Sequence, residues 1–527
     1  MLKQGVNFIM TDNKIEQETK ENVISYHTFI FPFTWGVGDI KRREFIDIVN
    51  KTENFVTDNK SESMLLGNYF TKSARRAIYN EHESDTDEPV WNYILKPEKL
   101  NGAKFIVSGT EKDITRNYEL ELNAIRFKIF NTGAAALVYE VKNTRYNEYN
   151  DILKINNWGS RLFTQFVGVD IDIKNLTDDK IQFEMPYKSK FILNGEDYEN
   201  HISFLFSDKI TINKANSLNG KKLYINPILD ERMFVCCLLK DDEFMSRAAE
   251  YKNGNYDYIT SSTDTEILAE DNVARKLHEL TFVDFSGVTC KSKNVLKETM
   301  QNHIYERWIE NGNIYGASSK ALISVAKESV PDFTINSFLS YYVEIAILVL
   351  MQRTTLMQFE EELGAVIANK TNHKIANVQE NYIKFNAQFL LREISAKPQA
   401  IELYALLKDC LYIDVHRNEI EKQINSCLEL EIAKDNQSRT TILSILSLFG
   451  VVGVINDVWG WLDITNFESL LSCEMLQFLK PFVNLEWFGR LFPTVLSVAV
   501  VFVLYMWFHN RKIKKRFKEI KKKRVQK

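Results

Sequence analysis

The chain has no CxxC pair among its six cysteines, Cys236, Cys237, Cys290, Cys410, Cys427 and Cys473, so neither a disulfide scaffold nor a thiolate zinc site is written into it. They read as reduced thiols behaving like small apolar side chains in a cytosolic compartment. The eight histidines, at 27, 82, 201, 278, 303, 373, 416 and 509, show no metal-ligand spacing. HExxH, GxSxG, a Walker loop and GxGxxG are all lacking, and GVG at 36–38 is a turn-grade signal. With no catalytic constellation, the sequence predicts no enzyme. The opening MLKQGVNFIMTDNK carries charge where a signal peptide would be apolar.

Charge is present but divided. The last seventeen residues hold eleven Lys or Arg against one Glu, which leaves 55 basic and 69 acidic residues in the rest of the 527-residue chain. An acidic body of that kind excludes direct nucleic-acid binding, since phosphate neutralisation needs a basic face. The tail reads instead as a juxtamembrane anchor, because the eighteen uncharged residues LFPTVLSVAVVFVLYMWF (491–508) precede it, bracketed by Arg490 and Arg511.

Residues 1–22 are polar. From 23 to 290 short strand-like runs alternate with turn signals, predicting a mixed α/β cytosolic domain. In YELELNAIRFKIFNTGAAALVYEV the apolar residues fall at Tyr118, Leu120 and Leu122, then at Ile125, Phe127 and Ile129. That is a strand with a bulge near Ala124, an Asn-Thr-Gly turn and a return strand. Further strands are expected at VISYHTFIFPF, around Phe183, and at 222–240, where Cys236 and Cys237 are core thiols pointing to opposite faces. HESDTDEPV reads as a solvated acidic loop.

After residue 291 the texture is helical, and 291–397 is expected to form a bundle. FLSYYVEIAILVLMQ, which contains Glu344, is too short to span a membrane and predicts a buried helix. Ile375, Val378, Tyr382, Phe385 and Phe389 form a heptad seam. A stalk helix over 398–439 carries Leu406, Cys410, Ile413, Ile420, Ile424 and Cys427 as a stripe. No breaker is visible between Gln399 and the apolar run TTILSILSLFGVVGVIN (440–456), so one helix over 399–456, about 87 Å at about 1.5 Å per residue, is expected. Such an element needs partner helices, most simply copies of itself.

The 440–456 run is at the short end of spanning length, and a soluble helix is the alternative reading. The net acidic 457–490 segment then forms an outer loop, 491–510 a second transmembrane helix and 511–527 a basic cytoplasmic tail that meets membrane lipids. Thr440, Thr441, Ser444, Ser447, Gly450 and Gly453 give the first span small or hydroxyl side chains suited to helix packing or a water-filled lumen. Ser444, Ser447, Gly450 and Gly453 are the expected pore lining, and Asn456 and Asp457 the expected pore mouth. Plain helix-terminating residues would look the same.

A large cytosolic α/β domain, a helical bundle, a long stalk helix, two C-terminal transmembrane helices and a Lys-rich tail resemble the CorA family of two-span channels and transporters. The family's Gly-Met-Asn motif stands here as Val454-Ile455-Asn456, with the asparagine retained and a glycine one place earlier at Gly453. The resemblance implies a homopentamer in the inner (plasma) membrane, both termini cytoplasmic, with first spans lining a pore. The missing Gly-Met and the long aromatic outer loop look more like the branch that serves as membrane effectors of type III CRISPR antiviral defence. That branch implies a nucleotide second messenger, an S-adenosylmethionine–AMP conjugate, as gating ligand and no covalent cofactor. The family at large implies a magnesium or divalent-cation transporter, and a membrane-anchored scaffold or enzyme is the third reading. For the ligand, Phe31, Trp35, Arg42 and Arg43 combine rings and cations able to stack on a base and meet a phosphate. A strand core plus a surface basic pair accounts for the same four residues.

Overall fold

The computed structural model describes residues 23–37, 54–58, 69–80, 88–111, 114–162, 187–199, 201, 216–218, 221–227, 232–249, 272–284, 290, 292–369 and 373–461. The segments 1–22, 462–490, 491–510 and 511–527 lie outside these, as do Phe183 and most of the acidic loop. The chain divides into two units, Met1–Ile424 and Asn425–Lys527.

The first unit is a mixed α/β body with fourteen described strands. In chain order these are β1 (Ser25–Val37), β2 (Phe55–Thr57), β3 (Val90–Leu95), β4 (Lys104–Glu111), β5 (Ile114–Phe130), β6 (Ala134–Asn143) and β7 (Tyr187–Leu193). They continue as β8 (Glu196–Tyr198), β9 (Asn216–Leu218), β10 (Lys221–Pro227), β11 (Phe234–Lys240), β12 (Ile304–Tyr305), β13 (Asn313–Ala317) and β14 (Ala321–Ala326). The sheet runs β12-β13-β14-β11-β1-β6-β5-β4-β7-β8, with β10 on β1 and β3 on β5. All described pairs are antiparallel except β11 with β14. Strands β12 to β14 lie within 291–397, so the boundary expected near 290 does not separate sheet from helices. Their cores, NIYGA and ALISVA, are buried at every position, and a short run buried on both faces carries no period to tell strand from helix.

Side-chain alternation sorts the sheet into two faces. Phe29, Phe31, Phe33, Ile125, Phe127, Ile129, Leu137, Tyr139 and Cys237 join the main core, together with Trp158 of α2 (Tyr149–Gly159). The neighbours Ile30, Arg126, Lys128, Val138 and Cys236 point the other way. The expected bulge is present, since the β5–β6 register shifts between Leu122 and Ala124. The turn at Asn131-Thr132-Gly133 is present as well. Gly133 has φ +100°, and a Cβ there would meet the Gln358 side chain at 2.8 Å.

The remaining helices are α1 (Lys72–Tyr79), α3 (Asp242–Ala248), α4 (Val273–Phe282), α5 (Lys293–Asn302), α6 (Asp332–Ser337), α7 (Val343–Asn369), α8 (His373–Phe389), α9 (Pro398–Cys410) and α10 (Ile413–Trp461). A π-helical turn, Phe338–Tyr342, joins α6 to α7. The stretch Asp332–Ala368 is long and apolar enough to cross a membrane, yet 61% of its most apolar window is buried inside the chain. Residues Ile345 to Met351 are all buried, as expected of a core helix against the sheet. The seam Ile375, Val378, Tyr382, Phe385 and Phe389 is buried along α8. On the next stripe Cys410, Ile413, Ile420, Ile424 and Cys427 are buried, whereas Leu406 is half-buried and Leu403 and Leu407 fill the core beside it.

The single helix expected over 399–456 is two helices. Leu411 and Tyr412 break it, Tyr412 adopting φ +56° in the left-handed region. No glycine or proline marks the place, which is why the sequence gives no sign of it.

Candidate functional site

Two places in the described structure depart from what a plain soluble core requires. One is a buried charge centre where the β5–β6 hairpin meets α7. The other is the surface of α10.

At the charge centre, Arg126 and Lys128 stand two apart on β5 and so share the face turned to α7. Glu344, in the first turn of α7, receives a hydrogen bond on one oxygen from Arg126 and on the other from Lys128 Nζ at 2.6 Å. All three residues are buried. Arg126 Nε also lies 2.7 Å from Glu140 Oε1, on the neighbouring strand β6, so two cations face two carboxylates. Lys128 Nζ donates in addition to the Ile78 carbonyl at 3.3 Å and sits over the Tyr79 ring, both in α1. Burial pushes the Lys128 ammonium down against the pull of Glu344. For Arg126 burial acts in the same direction, but Glu140 and Glu344 outweigh it and hold the guanidinium charged. At the turn, Thr132 Oγ1 meets Thr355 Oγ1 at 2.8 Å and Asn131 Nδ2 donates to Gln388 Oε1 at 3.1 Å. The hairpin thus joins the sheet to α1, α7 and α8 by polar bonds. Two cations alternating with Ile125, Phe127 and Ile129, and one carboxylate in an apolar run, are the signals by which the centre could have been found.

Along α10, Ile442, Leu443, Ile445, Leu446, Phe449, Val451 and Val454 are each between 46% and 67% exposed. Steps of three and four place Thr440, Ser444, Ser447, Val451 and Val454 on one side and Ile442, Ile445, Leu446 and Phe449 on another. The hydroxyls of Thr440, Thr441, Ser444 and Ser447 donate to the carbonyls of Asn436, Gln437, Thr440 and Leu443 at 2.7–2.8 Å, so the helix itself satisfies them. A Cβ at Gly450 or Gly453 would meet nothing within 4 Å. Asn456 and Asp457 do not end the helix, which runs on to Trp461, so the reading of both as terminators is corrected and helix replaces the first residues of the expected outer loop.

The other sequence candidates are not brought together. Phe31 is 0% and Trp35 4% exposed, both within the core of β1 and its neighbours, so neither ring offers a face to a ligand. Arg42 and Arg43 lie outside the described residues, as does Gly38. Cys236 and Cys237 are buried on opposite faces, and burial pushes the Cys237 thiol up to about 12. Among the described residues no group of three or more His, Cys, Asp or Glu is placed to hold a metal ion. Comparison with protein-family models, with curated proteins and with solved structures found no match in any of the three.

Proposed function

We propose that the chain is a two-span, homo-oligomeric membrane channel of CorA-like architecture, with its mixed α/β body as cytosolic sensor and residues 440–456 as the pore helix. The observation that carries this reading is the surface of α10. Over 440–456, seven large apolar side chains are exposed and the four hydroxyls of the run bond their own backbone, an unfavourable arrangement in water and a favourable one in lipid or against copies of itself. Ser444, Ser447, Gly450 and Gly453 leave room for close helix approach, and rotational symmetry would turn Asn456 and Asp457 into rings.

The gating ligand proposed is a nucleotide second messenger of the S-adenosylmethionine–AMP type, in type III CRISPR defence, as the family resemblance implies. Binding on the body would tilt the α10 helices and widen the ring, provided that the ligand binds open and closed forms unequally. Divalent-cation transport is the alternative and a non-conducting scaffold the third reading.

The test is dye and ion flux through vesicles holding the full chain, with magnesium and with a panel of nucleotides. Release triggered by one nucleotide and altered by Asn456→Leu is the expected result. Saturable magnesium flux without any nucleotide response would return the chain to the transporters, and no flux under any condition would leave the scaffold. Thermal unfolding gives an independent reading, because a ligand at a hundredfold its Kd adds about 2.7 kcal/mol to the folded assembly.

A further inference from the structure

We infer that the Leu411–Tyr412 corner is a two-state hinge, able to pass between the broken helix of this structure and a continuous α9–α10 helix. Its role in gating rests on the channel reading above; its geometry does not.

The corner is a conflict between local sequence and tertiary contacts. Residues 406–413, LLKDCLYI, contain no glycine, proline or asparagine, and local preference favours an unbroken helix. Tyr412 nevertheless holds φ +56°, a region costly for a bulky side chain. Two of the other three described non-glycine residues with positive φ are asparagines, for which that region is easy, and the third, Val283, caps α4. Tyr412 is 58% exposed, so its own packing does not hold the break.

The break is held from both sides instead. On the α9 side, Glu402 accepts from Tyr305 and Arg307 at the β12 edge, and Cys410 Sγ donates to the Ala317 carbonyl at 3.3 Å. On the α10 side, His416 Nδ1 lies 3.2 Å from Glu360 Oε1 of α7, and Tyr382 of α8 donates to Glu421 at 3.0 Å. Leu411 and Ile413 are both fully buried across the corner. Release of either set of ties removes what opposes the continuous helix, and the base of α10 then leaves the body in a different direction.

One contact reports the state. Lys408 Nζ and Asp414 Oδ2 are 3.0 Å apart although the two positions are six apart in sequence. In a continuous helix those positions stand about 9 Å apart along the axis and about 120° around it, so the pair exists only in the broken form.

The experiment is carbodiimide coupling of Lys408 to Asp414 in the full-length chain in vesicles, quantified by mass spectrometry. Glu380 and Lys384, 2.8 Å apart within α8, are the control pair, whose coupling should not change with the state of the corner. Tyr412→Gly and Tyr412→Ala remove the same ring, but glycine reaches the left-handed region freely while alanine favours helix. Coupling should rise above the wild type in the glycine variant and fall several-fold in the alanine variant, with flux shifted in opposite directions. Equal coupling in the two variants overturns the hinge. An absence of flux in the wild type sinks the channel reading, and the coupling yields still decide the hinge.

Discussion

Glu344 holds two cations on one buried carboxylate, so removing it leaves Lys128 without a carboxylate and Arg126 with Glu140 alone. Glu344→Ala should destabilise the body by about 3–5 kcal/mol in chemical denaturation, the range found when one member of a buried pair is lost. Two fully buried histidines contribute to the response to acid. His27 Nδ1 donates to Asn156 Oδ1 at 2.7 Å, and its Nε2 accepts from Ser25, whose oxygen accepts in turn from Asn143. His201 donates from Nε2 to the Ser189 carbonyl and accepts from the Tyr139 hydroxyl. Burial lowers each imidazole from 6.5 to about 4. Below pH 6.5 the unfolded chain therefore binds more protons than the folded one, and stability falls as pH falls until the folded form also protonates near 4. Each should cost about 2 kcal/mol at about pH 5. A thermal midpoint that stays level between about pH 7 and about pH 5 would contradict the assignment.

At the scale of elements, the sheet and its helices meet through a few close approaches. Gly109 of β4 lies against the fully buried Trp158 ring, and a Cβ there would come within 2.4 Å of it. Gly109→Ala should cost about 1–3 kcal/mol by overpacking, whereas the same change at Gly102, whose Cβ would meet nothing within 4 Å, pays only for its φ of +67°. Helix α10 shows the opposite situation, with long apolar side chains that no neighbour among the described residues covers. At this scale the Tyr412 corner matters most, because it sets where α9 ends and α10 begins.

For the molecule as a whole, the charge centre, the hairpin turn and the corner lie in the unit Met1–Ile424, and the exposed run lies in the unit Asn425–Lys527. The proposed function requires the second unit to associate with lipid. The full chain should stay in the membrane fraction after an alkaline wash, and a chain ending at Asn436 should be released by it. Release of the full chain under the same wash would contradict the membrane reading irrespective of any ligand.

Sequence alone determined the features set by local periodicity: the alternation of β5, its bulge between Leu122 and Ala124, the Asn131-Thr132-Gly133 turn, the α8 seam and the buried helix around Glu344. Each depends on neighbours a few residues away, and period two or three-and-a-half survives in one chain. Tertiary structure decided the rest. Strands β13 and β14 lack a period because both faces are buried. Arg126 and Lys128 meet a carboxylate 218 and 216 residues away, a pairing no local pattern encodes. The same holds at Tyr412, where contacts from β12, β13, α7 and α8 override a helical sequence. Phe31 and Trp35 fit either a ligand face or a strand core in the chain and lie in the core of the fold, because aromatic composition does not say which side of a strand meets solvent.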